Sequence, residues 1–258
     1  MKTPARPPHE LDLTGVLTPD QFKEGVDLWL QTRSAGGSSL TGCLLAPDNA
    51  TRLPAVYFPV MQIVELVSVV GVQSIRARFV VLRDGQQQPR FTVALYATAA
   101  DGTVLSSYYL ANRYWLLQAG SPVPRSSARP LTVVLNLGSS VSKNVVPKAL
   151  ASYWVNNWAN QKRYPTSPEL FTSAGQALQG YNFLVSDLVD PLRGINEYGN
   201  QLLAMNFGLH TFLHSTGKTD APIATLGVML QMTGTTEKDE AGAGDDSFNM
   251  VVPSPPAP

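Results

Sequence analysis

Apolar residues recur along this chain at two spacings, one typical of helices and one typical of strands. Residues 19–32 place apolar side chains at i, i+4, i+7 and i+8, which predicts an amphipathic helix; they are Phe22, Val26, Trp29 and Leu30. Residues 75–82 and 91–97 are rich in apolar and β-branched residues and are separated by Asp84-Gly85-Gln86. Because Asp-Gly supplies the backbone freedom of a tight turn, this stretch predicts an antiparallel β-hairpin.

The same order of predicted elements occurs a second time, roughly 125–133 residues later. Both copies begin with proline near a helix start and end that helix with basic residues, where the helix dipole favours them. The aligned segments are 16–33 with 145–163, 57–66 with 182–191, 75–82 with 204–213, and 90–96 with 223–230. The pattern therefore predicts an internal duplication.

Two further segments complete the predicted repeat unit. Residues 59–70 and 186–190 are predicted to be short helices, the second with Ser186 as its N-cap. The fold class is therefore predicted as α+β, with two divergent copies of an α-α-β-β unit, antiparallel hairpins, and disordered or extended termini. The predicted boundaries are 1–12 for an extended N-terminal arm, 13–119 for repeat unit 1, 120–144 for a linker with a strand, 145–235 for repeat unit 2, and 236–258 for an acidic, proline-rich C-terminal tail.

The charge balance gives no indication of a nucleic-acid-binding or membrane-surface protein. The chain has 19 basic and 19 acidic residues, and charged residues make up 15% of it, against roughly 25% in typical soluble domains. With few charges to cover it, the surface must be more neutral or apolar than usual. This favours burial within an assembly, the alternative being a surface rich in Ser, Thr, Asn and Gln.

Cysteine content and the N-terminus bear on the compartment. The single cysteine, Cys43, leaves no partner for an intramolecular disulfide. The N-terminus lacks the apolar segment of a signal peptide, and no run approaches the ~18 apolar residues of a transmembrane helix. We therefore expect a cytoplasmic protein.

Three short motifs resemble chemical sites but lack the residues that those sites require. Residues 215–219 resemble the end of a phosphate-binding loop, but Phe212 stands where glycine is needed, so a hairpin turn is expected. Residues 140–143 match Ser-x-x-Lys without the companion motifs of acyl-enzymes. His210 and His214 have the spacing of zinc ligands, but they are predicted on a strand and lack the intervening glutamate. We therefore predict no catalytic residues, no metal and no cofactor.

The candidate site residues are instead side chains that could contact a partner. The helical tryptophans are expected in the core, with an aromatic interface as the alternative. Arginines that alternate on one strand face predict either a solvated face or a small anion patch. The two histidines are expected as a solvent-facing or interface pair whose protonation would loosen a contact. The interface candidates are Trp29, Trp154, Trp158, Arg76, Arg78, His210, His214, Phe248 and Val251.

The helix that ends with tryptophan, the segment from Phe183 to Leu188 and the hairpin after it resemble a group of uncharacterised bacterial proteins. The first copy departs from this pattern at Gln62-Ile63, where Asp-Leu is expected. The resemblance implies an α+β fold and a bacterial, cytoplasmic origin, and it implies no activity.

Low charge, the duplication, two extended arms and the absence of a catalytic motif predict a non-enzymatic, self-assembling structural or protein-interaction protein. We expect a homo-oligomer with contacts through sheet edges, aromatic helix faces or tails, and neither nucleic acid nor membrane as a partner. One alternative is a small-ligand or peptide binding module that uses the cleft between the two repeats. The other is an enzyme with no recognisable motif, for which Asp187, Asp190, His210 and His214 would be substituted first.

Overall fold

The computed structural model describes residues 15–46, 48–85, 87–111, 145–173, 175–192, 201–213, 222–233 and 248–250. They form a mixed α+β fold with antiparallel sheets. The first half contains β1 (Val16–Leu17), α1 (Pro19–Ala35), α2 (Gly37–Cys43), β2 (Ala55–Pro59), α3 (Val60–Val67), β3 (Ser74–Arg83), β4 (Pro89–Thr98) and β5 (Tyr108–Leu110). The second half contains β6 (Val145–Val146), α4 (Lys148–Ala159), a 3₁₀ helix (Pro168–Phe171), β7 (Thr172–Ser173), β8 (Gln176–Ala177), β9 (Gly180–Leu184), α5 (Val185–Leu192), β10 (Leu202–Leu213), β11 (Pro222–Thr233) and β12 (Phe248–Met250).

Two five-stranded sheets organise the fold, and each takes one strand from the other half of the chain. The first sheet has the order β1-β5-β4-β3-β9, and the second has the order β6-β12-β11-β10-β2. Every neighbouring pair is antiparallel. Strand β9 therefore completes the sheet built from the first half, and β2 completes the sheet built from the second half. Strands β7 and β8 form a separate two-stranded ribbon.

The helix and hairpin predicted in the first half are confirmed. Helix α1 begins with a capping box, in which the Thr18 hydroxyl accepts from the Gln21 N–H at 3.2 Å and the Gln21 side chain accepts from the Thr18 N–H at 2.9 Å. Strands β3 and β4 are joined at Asp84, whose carboxylate accepts from the Gln88 N–H at 2.9 Å. The same carboxylate pairs with Arg90 at 3.0 Å, which fixes the turn.

The two short helices are also confirmed, but the predicted N-cap of the second is wrong. Helix α5 begins at Val185, so Ser186 lies within its first turn. The N-terminus of the helix is instead capped by a residue of its own first turn. The Asp187 carboxylate accepts from the Leu184 N–H at 2.9 Å. This is the reciprocal half of a capping box, in which a side chain of the first turn reaches back to the backbone.

The predicted unit omitted the strands that precede these helices, β2 and β9. Each is only five residues long and runs directly into a helix. A short apolar run of this kind cannot be assigned to strand or helix by periodicity alone. The pairing that makes it a strand lies in the other half of the chain, where Phe58 faces Leu203 and Phe183 faces Ile75.

One aromatic core fills the space between the sheets. Phe91 of the first sheet lies 5.6 Å from Phe207 of the second, measured between ring centroids. Trp29 packs against Phe79 at 5.5 Å, and its indole N–H donates to the Leu178 carbonyl at 3.0 Å. The Trp158 indole donates to the Leu53 carbonyl at 2.7 Å. The two halves of the chain therefore share one core.

The predicted C-terminal tail contains a strand of the second sheet. Residues Phe248–Met250 pair with β11 and β6 of the same chain, so this segment packs within its own molecule. The predicted arm 1–12, the linker 120–144 and the rest of the tail lie outside the described residues. Within the described ranges, no helix has both the length and the apolar character that a membrane crossing requires.

Candidate functional site

The outer face of the first sheet is covered by α1 over only part of its area. Along β3, side chains alternate, so that Phe79 faces the shared core while Val80 and Leu82 face outward. Helix α1 packs on the outward residues, and Gly25 permits its close approach to Val80. The N-terminal end of β3 and the adjoining strand β9 extend beyond this helix.

Four residues, of which only Leu184 is exposed, define the part of the outer face that lies beyond α1, and we call it the arginine corner. They are Arg76, Arg78, Asn182 and Leu184. Arg76 lies opposite Asn182 on β9 and opposite Tyr96 on β4. Leu184 is 60% exposed, which is unusual for a large apolar side chain on a sheet. The corner thus combines cationic, amide and apolar groups on one face.

Two polar atoms of the corner are buried without a hydrogen-bond partner among the described residues. They are Nε of Arg76 and Oδ1 of Asn182, which lie on directly opposed residues. The backbone at Gly102 lies beside the Arg76 guanidinium, where a Cβ atom would stand 3.3 Å from Nη2. Buried polar atoms in folded proteins are nearly always hydrogen-bonded, so these two distinguish the corner from the rest of the sheet.

The two arginines of the corner also have no carboxylate partner within the described part of the chain. Arg90 on the neighbouring strand, by contrast, pairs with Asp84 at 3.0 Å. A guanidinium offers planar, paired donors that match carboxylate oxygens, and such pairs are stronger than neutral hydrogen bonds. The corner is therefore suited to bind a carboxylate-bearing surface.

The corresponding part of the second sheet is covered. Leu202 and Ala204 face outward on β10 and are 5% and 1% exposed. Asn206 is satisfied within the sheet, donating to the Gln231 side chain at 3.3 Å. Among the described residues, a partly exposed polar face of this kind therefore belongs to the first sheet.

A shallow groove of about 450 Å³ runs along the exposed side of α1. Asp20, Glu24 and Asp27 line it at i, i+4 and i+7, and we call these three residues the acidic stripe. Lys23 of the same helix and Arg83 at the end of β3 also line the groove. The groove is lined by three carboxylates against two cations, Lys23 and Arg83, so it remains net negative.

The tryptophan candidates are core residues, as the first of the two alternatives predicted. Trp29 and Trp158 are fully buried in the shared core, so neither is available to a partner. Trp154 is also buried, and its ring stacks on His210 at 3.8 Å between centroids. The alternative prediction, that these three tryptophans contact a partner, is wrong, because their apolar area is already buried inside the chain.

His210 lies under α4 on the outer face of the second sheet. Its imidazole occupies the space that a side chain at Gly227 would need, and Nε2 is buried without a partner among the described residues. Burial lowers the pKa of His210 to about 4. His214 and Val251 lie outside the described residues, and only the backbone pairing of Phe248 with Val146 is described.

From the half-buried imidazole of His210, we expect the protein to lose stability on acidification. Its pKa is lower in the folded chain than in the unfolded chain, so the unfolded state takes up the proton first. The stabilisation is present above the unfolded pKa near 6.5 and is lost as pH falls towards 4. We expect the melting temperature of wild type to fall more between pH 7 and pH 5 than that of His210→Leu, by on the order of 3 °C.

His214→Gln serves as the control for this pH experiment, since it also removes one titratable imidazole. Thermal unfolding followed by circular dichroism at both pH values measures the effect. An identical acid-induced decrease in wild type and His210→Leu would contradict the assignment.

The other side chains that could carry out chemistry, Cys43 and Asp187, have structural roles. Cys43 is buried, and burial raises the pKa of its thiol to about 12, which keeps it protonated. Asp187 is held by the backbone at the start of α5. Among the described residues, no group of three or more His, Cys, Asp or Glu side chains is arranged to hold a metal ion.

The sequence predicted two residues of the arginine corner and missed the other two. Arg76 and Arg78 were evident from strand alternation. Asn182 and Leu184 reach the corner only because β9 crosses into the first sheet, and no local pattern indicates such an exchange. Comparison with protein-family models, with curated proteins and with solved structures finds no match to this chain.

Proposed function

We propose that the chain consists of two divergent copies of one unit that exchange a strand. Strand order supports this. The first sheet has the order β1-β5-β4-β3-β9 and the second has the order β6-β12-β11-β10-β2. The two orders match when β1 is equated with β6, β5 with β12, β4 with β11, β3 with β10, and β9 with β2. The pairing registers also correspond. Val16 and Leu95 both pair with Tyr109, and Val145 and Leu230 both pair with Asn249.

Reciprocal hydrogen bonds between the halves support the same proposal. The indoles of Trp29 and Trp158 each donate to a leucine carbonyl of the opposite half. On the strands, the Phe79 N–H donates to the Gln179 carbonyl at 2.8 Å, and the Phe207 N–H donates to the Pro54 carbonyl at 2.9 Å. Each of these bonds thus has a counterpart at the same place in the other half.

The packing of helix on sheet fits divergence between the copies. In the first half, Gly25 of the helix lies against Val80 of the strand. At the corresponding place in the second half, the small residue is on the strand, where Gly208 lies against Trp154 of the helix. Each contact pairs a glycine with a larger residue, and the glycine changes sides between the copies, as close packing of a helix on a sheet allows.

For this architecture we propose a non-enzymatic, self-associating interaction protein that uses the arginine corner. The observation that carries the proposal is the partly uncovered first sheet, where Arg76 and Arg78 have no carboxylate partner among the described residues and lie beside exposed Leu184. Apolar contact supplies association, and the charges at the surface supply orientation.

The alternatives have less support. A ligand site between the copies needs a cleft, but among the described residues the space between the sheets is filled by aromatic side chains such as Phe91 and Phe207. An enzyme built on Asp187 and His210 would need them together. The Asp187 carboxylate accepts from the Leu184 N–H at the end of β9, whereas His210 lies under α4.

Absolute mass by multi-angle light scattering tests self-association. We expect a concentration-dependent species larger than the 27.8 kDa chain. Adding salt should weaken it, because the proposed contact uses charges at the surface. Truncation after residue 235 is unsuitable as a test, since it removes β12 from the second sheet. A monomer at every concentration would contradict the proposal.

A further inference from the structure

The first sheet and α1 together form a step. Helix α1 is anchored on the outer face through Phe22, which stacks on Tyr108 at 4.0 Å, and through Gly25 against β3. A helix on a sheet adds a layer about 10 Å thick. The arginine corner lies at the lower level, beside this layer, and α1 does not extend over it.

The upper level of the step carries charge opposite to that of the lower level. The acidic stripe, Asp20, Glu24 and Asp27, lies on the side of α1 away from the sheet. The helix's own buried residues, Gly25 and Trp29, face inward, so the stripe cannot contact the corner of its own chain. Its carboxylates are therefore available to a second molecule.

We infer that the partner of the arginine corner is α1 of a second copy of this chain. The two copies associate about a twofold axis, so that the acidic stripe of each faces Arg76 and Arg78 of the other. A twofold interface makes every contact twice, which doubles a modest charge complementarity. This inference rests on the self-association proposed above and names the surface and the partner.

Three features favour a second copy over an unrelated partner. The two complementary charge patterns lie on one outer surface of one chain, as a self-complementary interface requires. The chain is neutral overall, with 19 basic and 19 acidic residues, so copies do not repel one another. Leu184 and Val104, 60% and 41% exposed, provide apolar surface at the same end of the sheet.

Charge exchange between two variants tests the inference directly. Variant one carries Arg76→Glu and Arg78→Glu, and variant two carries Asp20→Lys, Glu24→Lys and Asp27→Lys. Alone, each places like charges opposite one another, so we expect the dimer dissociation constant to rise about 100-fold. Mixed in equal amounts, the two variants restore opposite charges at both contacts, and a heterodimer should form with near wild-type affinity.

Lys162→Glu with Arg163→Glu provides the matched control, because it reverses two charges on the exposed segment after α4. It should dimerise like wild type. Circular dichroism and melting temperature establish that every variant is folded before its mass is measured by light scattering.

The outcomes separate this inference from the proposed function. A monomeric wild type overturns both. A wild-type dimer that persists in variant one leaves self-association standing and overturns the surface named here. Two monomeric variants that fail to form a heterodimer show that the stripe is not the partner of the corner, which also overturns the inference.

Discussion

Gly180→Ala is expected to lower the free energy of unfolding by about 3 kcal/mol. Gly180 is the first residue of β9 and has a φ angle of +150°, which residues other than glycine rarely adopt. A Cβ atom there would collide with the carbonyl oxygen of Ala77 on β3. The exchanged strand would have to move away from the first sheet, and the loss is measured by denaturant unfolding.

The other half of the chain supplies the control. Ala55 holds the same place in β2, opposite Asn206 at the end of the pairing with β10, and already carries a Cβ atom. Ala55→Gly should cost only about 1 kcal/mol, from added freedom of the unfolded chain and a small loss of buried surface. Equal losses in the two variants would contradict a steric requirement for glycine at 180.

Arg52→Met is expected to have a similarly large effect, about 3 kcal/mol. Arg52 is 4% exposed, and its guanidinium donates to the carbonyls of Trp158 and Tyr164, both at 2.8 Å, and to the Thr166 hydroxyl at 2.9 Å. It also stacks on the Trp158 ring at 4.3 Å. Methionine keeps the apolar stem but leaves buried carbonyls at the end of α4 without donors.

Arg33→Met is the comparison for this variant. Arg33 makes the same kind of contact, donating to the Phe171 carbonyl at 2.9 Å and to the Thr172 hydroxyl at 2.7 Å, but it is only partly buried. Water can replace its bonds, so a loss of about 1 kcal/mol is expected. Both variants are compared by denaturant unfolding. A smaller loss of unfolding free energy for Arg52→Met than for Arg33→Met would contradict the idea that burial strengthens these hydrogen bonds.

The sequence predicted elements whose cause is local. The Asp84-Gly85 turn, the proline at the start of α1 and the apolar spacing of that helix each lie within a few residues of the structure they determine. The exchange of β2 and β9 has no such cause. Phe58 becomes part of a strand only because Leu203, far along the chain, offers it an edge.

The candidate site likewise has features that the local sequence determines and features that depend on distant parts of the chain. Alternation along β3 placed Arg76 and Arg78 on one face without any knowledge of the fold. Whether that face is covered depends on where α1 lies and on which strand pairs with the edge of β3, and both are tertiary facts. The tryptophans illustrate the reverse case, since helical spacing alone could not distinguish a core side chain from an interface one.

Strand exchange also has a consequence for the order of events during synthesis. When the first half has left the ribosome, β2 has no sheet to join, and the edge of β3 that receives β9 is still open. Open edges of this kind are prone to incorrect pairing. Neither sheet can be completed until β9 and β10 have been translated, so both sheets depend on contacts between distant parts of the chain. A nascent or prematurely terminated chain therefore exposes a sheet edge that β9 covers in the finished chain.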